Sequence, residues 1–241
     1  MIENKNIIHY GCSFTFGQDS GGDGNDDVLL SYPAHLSKLL LDTTFDIKAE
    51  KGDSNDTAFL KLYADIFNKK TTYNDVVFFN ITSIYRSVYL NDELTGKIII
   101  NDLDWGYQNV LPSYDFNFDK SKISTQMYEN YRNSYFYQSE LAFNINIMKN
   151  IYSVNTICKE YNIDVYFVDL FGDLRYFVHD RYTEYKKIKI FTAPNKRSLV
   201  HYIRHNKQYH NMISKSEHFY SDGYKMIAEI VYNNLIKEQQ C

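Results

Sequence analysis

The chain has 241 residues, which is enough for one large α/β domain with a buried core or for two small domains. Hydrophobic residues make up 44% and charged residues 23%, and there are only three prolines, so a disordered, collagen-like or low-complexity chain is excluded. The net charge of -4 provides no basic field that could hold a phosphate backbone, so nucleic acid is not an expected partner.

The apolar runs of the sequence are short, and its cysteines are few. Residues 76–79 and 98–100 fall far short of the roughly 18 to 20 apolar residues that a membrane span needs, so no membrane association is expected. The first ten residues lack an apolar stretch of signal-peptide length. Cys12, Cys158 and Cys241 are an odd number at irregular spacing, which predicts thiols in a reducing compartment, the cytoplasm, rather than a disulfide framework.

Strand and helix patterns alternate from the start of the chain. Asn6–Tyr10 is a short apolar and β-branched run that ends before Gly11, which predicts a buried strand leading into a loop. The loop is rich in glycine, and residues 31–41 after it predict a helix with Pro33 in its first turn. Residues 45–49 predict a second strand.

A turn, a helix and a third strand follow. Residues 52–55 (GDSN) predict a turn in which Asn55, or Asp56 beside it, caps a helix over residues 57–68. Residues 76–81 form the most apolar stretch of the chain, which predicts a central parallel strand covered on both faces.

The periodicity changes beyond this strand. Residues 84–124 accumulate Asp, Asn, Tyr and the single Trp, so we predict an insertion over one end of the sheet. Alternating strands and helices predict a parallel, doubly wound sheet of about five strands. The remaining strands are predicted at residues 164–171 and 187–192, and the remaining helices at residues 126–161, 195–207 and 222–236.

The functional site is expected where loops leave the carboxyl ends of the strands. In open parallel sheets these loops converge, and helix N-termini point their N–H groups into the crevice between them. Residues 11–17, 52–55 and 82–86 follow the first three predicted strands, and residues 217–224 lead into the last helix.

These loops contain recognisable blocks. Residues 11–17 (GCSFTFG), residues 32–36 (YPAHL), residues 52–55 (GDSN) and His218 occur in this order. They resemble the blocks of the SGNH or GDSL hydrolases, a family of esterases and acyl hydrolases, over nearly the whole chain. The resemblance implies a single domain over residues 1–241 with a flavodoxin-like three-layer α/β/α fold, and neither a cofactor nor a metal.

The resemblance also implies roles for three residues. Ser13 corresponds to the nucleophile, which needs a neighbouring base because a hydroxyl is otherwise a poor nucleophile. His218 corresponds to that base, which later returns the proton to the leaving alcohol. The backbone N–H groups of Ser13 and Gly52 correspond to two donors of the oxyanion hole.

The third block departs from the family pattern. Aligning residues 76–81 with the family's strand places Thr82 where a glycine is expected and Ile84 where the oxyanion asparagine is expected. Asn55 or Asn80 can replace this donor. Asn55 is preferred because it lies in a predicted site loop, whereas Asn80 lies within a strand.

The last block departs as well. The acid that orients the family's histidine stands three residues before it, and here that residue is Lys215. We therefore predict a Ser-His dyad, in which a backbone carbonyl or an acid from another loop orients the ring of His218.

Two other polar clusters are interpreted without function. Residues 19–27 contain carboxylates at a density typical of calcium loops but lack the EF-hand glycine and glutamate, so a solvated flexible loop is predicted. His201 and His205 share one face of a predicted helix, but no third ligand is evident, so a solvated face is favoured over a metal site.

Two functions are compatible with the sequence. The first is an esterase or acyl hydrolase that acts on a small acylated molecule or an acylated carbohydrate, such as an acetylated sugar or polysaccharide. The alternative is a catalytically weak or inactive protein that keeps the fold and binds a glycan or a protein partner.

Overall fold

The computed structural model describes residues 2, 5–41, 43–51, 53–82, 87–90, 96–100, 103–110, 140–171 and 188–240. In chain order the elements are β1 (Asn6–Tyr10), α1 (Ser13–Phe16), α2 (Tyr32–Leu39), β2 (Phe45–Ile47), α3 (Asn55–Phe67), β3 (Asp75–Ile81), β4 (Ser87–Leu90), β5 (Gly96–Ile100), β6 (Leu103–Val110), α4 (Glu140–Glu160), β7 (Asp164–Asp169), β8 (Ile190–Phe191), α5 (Leu199–Arg204) and α6 (Ser221–Gln240). Short 3-10 helices lie at Val28–Leu30 and Lys207–Met212.

Five strands form a parallel sheet in the order β2-β1-β3-β7-β8. The apolar strand β3 lies at its centre, as the sequence predicts. This order is that of the flavodoxin-like doubly wound folds. The predicted α/β class and the parallel sheet of five strands are therefore confirmed.

Alternate side chains of β3 point to opposite faces of the sheet. Val76 and Phe78 pack in the core cluster that also contains residues of α2, α5 and α6. Val77 and Phe79 pack in a second cluster with residues of α3 and α4. Helices thus cover both faces, which makes three layers and explains why β3 is apolar throughout.

The insertion predicted at residues 84–124 contains regular structure. Strands β4, β5 and β6 form an antiparallel sheet in the order β4-β6-β5, and β4 and β5 lie against α3. The rest of this segment, and residues 126–139 of the predicted helix, lie outside the described residues.

The N-cap of α3 differs from the prediction. Ser54, rather than Asn55 or Asp56, is the cap, and its hydroxyl accepts a hydrogen bond of 3.1 Å from the N–H of Thr57. Asn55 is the first helical residue, and its side chain binds elsewhere in the fold. Among the described residues, no helix combines the length and apolarity needed to cross a bilayer.

A buried polar network joins α2 to the sheet. The amide of Asn80 donates to Tyr10 O at 2.8 Å and to Phe78 O at 3.1 Å, and its Oδ1 accepts from the hydroxyl of Tyr32. The Tyr32 oxygen lies 3.2 Å from Nδ1 of His9. Burial lowers the pKa of His9 to about 3, so the ring is neutral and Nδ1–H can donate to Tyr32.

This network predicts a difference between two asparagines. We expect Asn80→Ala to lower the free energy of unfolding by about 1–3 kcal/mol, because it removes the acceptor of the buried Tyr32 hydroxyl and a donor to Tyr10 O in the core. Asn74→Ala is the matched control, since Asn74 is exposed in the turn before β3, and we expect a change within about 0.5 kcal/mol. Urea unfolding of both variants measures this, and equal midpoints would contradict it.

Candidate active site

The site begins where β1 ends. Gly11 has no room for a side chain, because a Cβ there would lie 2.2 Å from Thr15 Oγ1 and 2.8 Å from Asn80 Cβ. A glycine at this position therefore lets the chain turn tightly against β3 immediately after Tyr10.

The single turn of α1 presents Ser13 at this edge. The N–H groups of Thr15 and Phe16 donate to Cys12 O at 2.8 and 2.9 Å. The turn ends at Gly17, whose φ of +90° is in the left-handed region and whose N–H donates to Ser13 O at 3.0 Å. Ser13 is the first helical residue, and it is buried.

His218 comes to Ser13 from the loop before α6. Its Nε2 lies 2.9 Å from Ser13 Oγ, and its ring stacks on Phe14 with centroids 4.6 Å apart. A tight turn holds the residue, since Ser214 N–H donates to His218 O and His218 N–H donates to Ser214 Oγ, at 2.9 and 3.1 Å. The structure thus brings together two of the side chains selected from the sequence.

The opposite nitrogen of the ring meets a serine. Nδ1 of His218 lies 2.9 Å from Ser216 Oγ and 3.2 Å from Ser216 O. The Ser216 hydroxyl donates to Oδ2 of Asp19, which also accepts from Ser214 Oγ at 2.7 Å. The other carboxylate oxygen of Asp19 accepts from Gly24 N–H at 2.9 Å.

These contacts assign the tautomer of His218. The Ser216 hydroxyl gives its hydrogen to the Asp19 carboxylate, and a carbonyl oxygen can only accept, so both Ser216 atoms are acceptors toward Nδ1. The hydrogen of the neutral ring therefore lies on Nδ1. Nε2 then has a lone pair directed at the Ser13 hydroxyl, which is the arrangement that a general base requires.

Asp19 is charged in this arrangement. Burial alone would raise its pKa, but the hydrogen bonds from Ser216, Ser214 and Gly24 N–H and the attraction of His218 together lower the pKa below its ordinary value of 3.8. The carboxylate thus remains ionised in a site where its exposed fraction is only 2%.

The acidic loop around Asp19 is less solvated than predicted. Asp19 and Ser20 are buried, Asp19 N–H donates to Asp26 Oδ1 at 3.0 Å, and Asp26 pairs with Lys51. The prediction of a solvated flexible loop is therefore wrong for this part of residues 19–27, because these carboxylates bind groups of the protein rather than water alone. In the described part of the chain, no group of three His, Cys, Asp or Glu side chains could hold a metal ion.

Lys215 occupies the position of the family's acid but faces away from the site. Its Nζ lies 2.9 Å from Asp23 Oδ2, and its side chain is 90% exposed. The Lys215 N–H and side chain and the Tyr220 hydroxyl lower the pKa of Asp23 to about 2. The charge of Lys215 is thus paired with Asp23 rather than directed at His218.

Arg204 of α5 supports the histidine loop from the other side. Its guanidinium donates to Glu217 O and pairs with Glu217 Oε2 at 3.2 Å. It also lies over the ring of Phe14, 5.7 Å from the centroid, on which His218 stacks. His218 is therefore held through its ring, and its loop is held through the backbone of Glu217.

The two asparagines considered for the oxyanion hole differ in their surroundings. Asn55 lies where α3 begins, and its side chain accepts from Thr82 N–H at 2.9 Å and donates to Thr82 O at 3.1 Å. Asn80 is fully buried and donates both of its amide hydrogens, to Tyr10 O and Phe78 O. The amide of Asn80 therefore binds backbone carbonyls in the core.

The loop that carries the second block is described only in part. Gly52 and Ile84 lie outside the described residues. Next to Gly52, Asp53 is fully buried and accepts from Lys61 Nζ and Glu50 N–H, each at 2.8 Å. The Asp of the GDSN block is thus an anchor for this loop.

Reasoning from the sequence missed Asp19 and Ser216. The residues flanking His218 contain Ser214 and Ser216, which was the only local signal. Asp19 carried no signal, because its approach to His218 depends on how the loop after α1 folds.

The comparisons with known proteins support the fold. No protein-family model matches the sequence, and no curated protein matches it. Solved structures do match. A lipolytic protein of the G-D-S-L family from Desulfitobacterium hafniense DCB-2 is 13% identical with a TM-score of 0.53, over 96% of this chain and 99% of that chain.

Two further structures are similar to this chain. The psychrotrophic esterase EstA from Pseudoalteromonas sp. is 8% identical with a TM-score of 0.50, over 98% of this chain and 100% of that chain. The third is a carbohydrate esterase whose active site displays divergent catalytic and non-catalytic binding functions. It is 12% identical with a TM-score of 0.53, over 97% of this chain and 65% of that chain. The resemblance to the SGNH/GDSL hydrolases is thus confirmed at the level of the three-layer fold.

The charge of Asp19 predicts how stability depends on pH. Because the pKa of Asp19 lies below its ordinary value of 3.8, its contribution to the free energy of unfolding is complete above that value and is lost as the pH falls through the folded pKa. We therefore expect Asp19→Asn to lose less stability than the wild type between about pH 5 and pH 3.

The measurement is the urea midpoint of unfolding of each protein at about pH 5 and at about pH 3. Asp222→Asn, which removes an exposed carboxylate from the first turn of α6, is the control for one lost charge, and its midpoints are compared with those of Asp19→Asn at both pH values. An unchanged acid dependence in Asp19→Asn would contradict the assignment of a charged Asp19.

Proposed function

We propose that this protein is a serine hydrolase of the SGNH type, which cleaves carboxylic esters with Ser13 as nucleophile and His218 as general base and acid. The observation that carries the proposal is the contact of 2.9 Å between Ser13 Oγ and His218 Nε2, with the hydrogen of the ring placed on Nδ1. The fold shared with the lipolytic and esterase structures is consistent with this reaction.

The reaction would proceed in two acyl transfers, first to Ser13 and then to water. Ser13 Oγ attacks the ester carbonyl while His218 Nε2 takes its proton, and the resulting imidazolium returns the proton to the leaving alcohol. Water then attacks the acyl group on Ser13 while Nε2 takes a proton from it. The bond between Ser13 Oγ and the acyl carbon breaks, the imidazolium returns the proton to Ser13 Oγ, and the acid is released. Nδ1 keeps its hydrogen throughout, so its contacts with Ser216 persist in every step.

The tetrahedral intermediates require donors for the oxyanion. We assign this role to the N–H of Ser13, which as the first helical residue has no partner within its helix, and to the N–H of Gly52. We assign the third donor to the amide of Asn55 rather than Asn80, because both amide hydrogens of Asn80 are used in the core.

A similar structure supports a proposal for the substrate class. We propose that the substrate is a small acylated molecule or an acylated carbohydrate, because one of the similar structures is a carbohydrate esterase. Because β4 and β5 lie against α3, whose first residue is Asn55, we propose that this second sheet shapes the acyl or alcohol pocket. The cytoplasm remains the predicted compartment, with Cys12 and Cys158 as buried free thiols.

A covalent probe tests the nucleophile. We expect a fluorophosphonate to label the wild type at Ser13 and to leave Ser13→Ala unlabelled, because only a serine activated by a base attacks such reagents at useful rates. We expect His218→Ala to slow both labelling and hydrolysis of 4-nitrophenyl acetate by about 10²–10⁴-fold. Intact-mass spectrometry and peptide mapping measure the adduct.

Cys12→Ala is the matched control beside the nucleophile, and it should retain labelling. A wild type that stays unlabelled over hours and hydrolyses no simple ester would contradict the proposal. That result would favour a protein that keeps the fold and binds a glycan or a protein partner.

A further inference from the structure

We propose that Asp19, acting through the hydroxyl of Ser216, is the positioning acid of His218. This inference rests on the proposed function, because it concerns the base of the same reaction. Two hydrogen bonds link Asp19 Oδ2, Ser216 Oγ and His218 Nδ1 in that order, and we call this hydrogen-bonded series the Asp19 chain. It supplies from the loop after α1 the negative charge that is absent three residues before the histidine.

The hydrogen bonds of the Asp19 chain all run in one direction. Nδ1–H of His218 donates to Ser216 Oγ at 2.9 Å, and the Ser216 hydroxyl donates to the Asp19 carboxylate. When Nε2 takes the proton of Ser13, no hydrogen of this chain has to move. The chain is therefore organised for the imidazolium before the reaction begins, which avoids reorganisation during the attack.

The charge of Asp19 stays available to the ring. Its carboxylate binds two serine hydroxyls and a backbone N–H, none of which neutralises it. The other acids nearby are paired with cations, since Asp23 binds Lys215 and Glu217 binds Arg204. Among the described residues near the ring, Asp19 is thus the acid whose charge can stabilise the imidazolium of His218.

Several contacts hold Asp19 in place. Its φ of +62° is in the left-handed region, which aspartate tolerates better than most residues. Its N–H donates to Asp26 Oδ1 at 3.0 Å, and its carboxylate accepts from Gly24 N–H and Ser214 Oγ. Ser214 in turn binds the N–H of His218, so the carboxylate sets the backbone as well as the ring.

Two single substitutions interrupt the Asp19 chain at different links. Asp19→Asn removes the charge at nearly constant shape, and Ser216→Ala removes the hydroxyl at an exposed position where folding is not at risk. We expect each to lower kcat for 4-nitrophenyl acetate by about 10–10³-fold with little change in KM, less than the roughly 10⁴-fold reported for an acid in direct contact with its histidine. We expect the double variant to be no slower than the slower single variant, because both changes break one chain.

Two readouts distinguish positioning from a merely structural role. The acid limb of the pH–rate profile should move to lower pH in Asp19→Asn, because the imidazolium loses its anionic neighbour. The other charged groups around the ring, Arg204 with Glu217 and Lys215 with Asp23, are unchanged by this substitution. In the Asp19→Asn background, Ser216→Asp places a carboxylate directly beside Nδ1, and we expect it to raise kcat above that of Asp19→Asn alone.

Asp23→Asn is the matched control. It removes the charge that pairs with Lys215 in the same loop but leaves the Asp19 chain intact, so we expect kcat within about twofold of the wild type. A wild-type kcat and pH profile in both Asp19→Asn and Ser216→Ala, with Ser13→Ala inactive, would overturn the Asp19 chain and leave the proposed function standing.

An inactive wild type would instead overturn the proposed function. The Asp19 chain is then decided by the ¹⁵N NMR spectrum of His218 at neutral pH. The chain predicts hydrogen on Nδ1 in the wild type and a titration of His218 that moves to lower pH in Asp19→Asn. Hydrogen on Nε2 in the wild type, or an unchanged titration in Asp19→Asn, would contradict it.

Discussion

The carboxylate of Asp19 accepts hydrogen bonds from Ser214 and Ser216, which lie 195 and 197 residues further along the sequence. It thus joins the loop after α1 to the loop before α6. One of these residues holds the backbone of His218, and the other holds its ring. These bonds join the loop of His218 to the segment that directly follows α1, the helix that begins with Ser13. A buried charge is costly unless hydrogen bonds satisfy it, so the serines and Gly24 N–H are also what allows Asp19 to be there.

The pairing of charges around the site has a consistent arrangement. Asp23 and Asp26 bind lysines at the outside of the loop, whereas Asp19 faces neutral hydroxyl groups inside it. A lysine bound to Asp19 would cancel the charge that the imidazolium needs. The exposed Lys215 is paired with Asp23 instead.

Much of the fold was predictable, because it follows from local patterns. The apolar run of β3 predicted the centre of the sheet, and the alternation of elements predicted its parallel strands. Ser13 and His218 were selected through blocks that resemble a family, and the structure places them within hydrogen-bond distance. Asp19 was not predictable, since an acid on a glycine-rich loop has no periodicity and its contacts depend on the folded path of residues 17–27.

The cap at Ser54 was misassigned for a related reason. Ser54, Asn55 and Asp56 are all good capping residues, and the hydrogen bonding of Asn55 to Thr82 selects among them.

A crystal structure of the protein after reaction with a small phosphonate ester would test the central claim most directly, because the adduct imitates the tetrahedral intermediate. Our account predicts phosphorus bonded to Ser13 Oγ, a phosphoryl oxygen within hydrogen-bond distance of Ser13 N, and His218 still bound through Nδ1 to Ser216, with Ser216 on Asp19. An adduct on another residue, or a His218 ring turned away from Ser216 in the adduct, would contradict it.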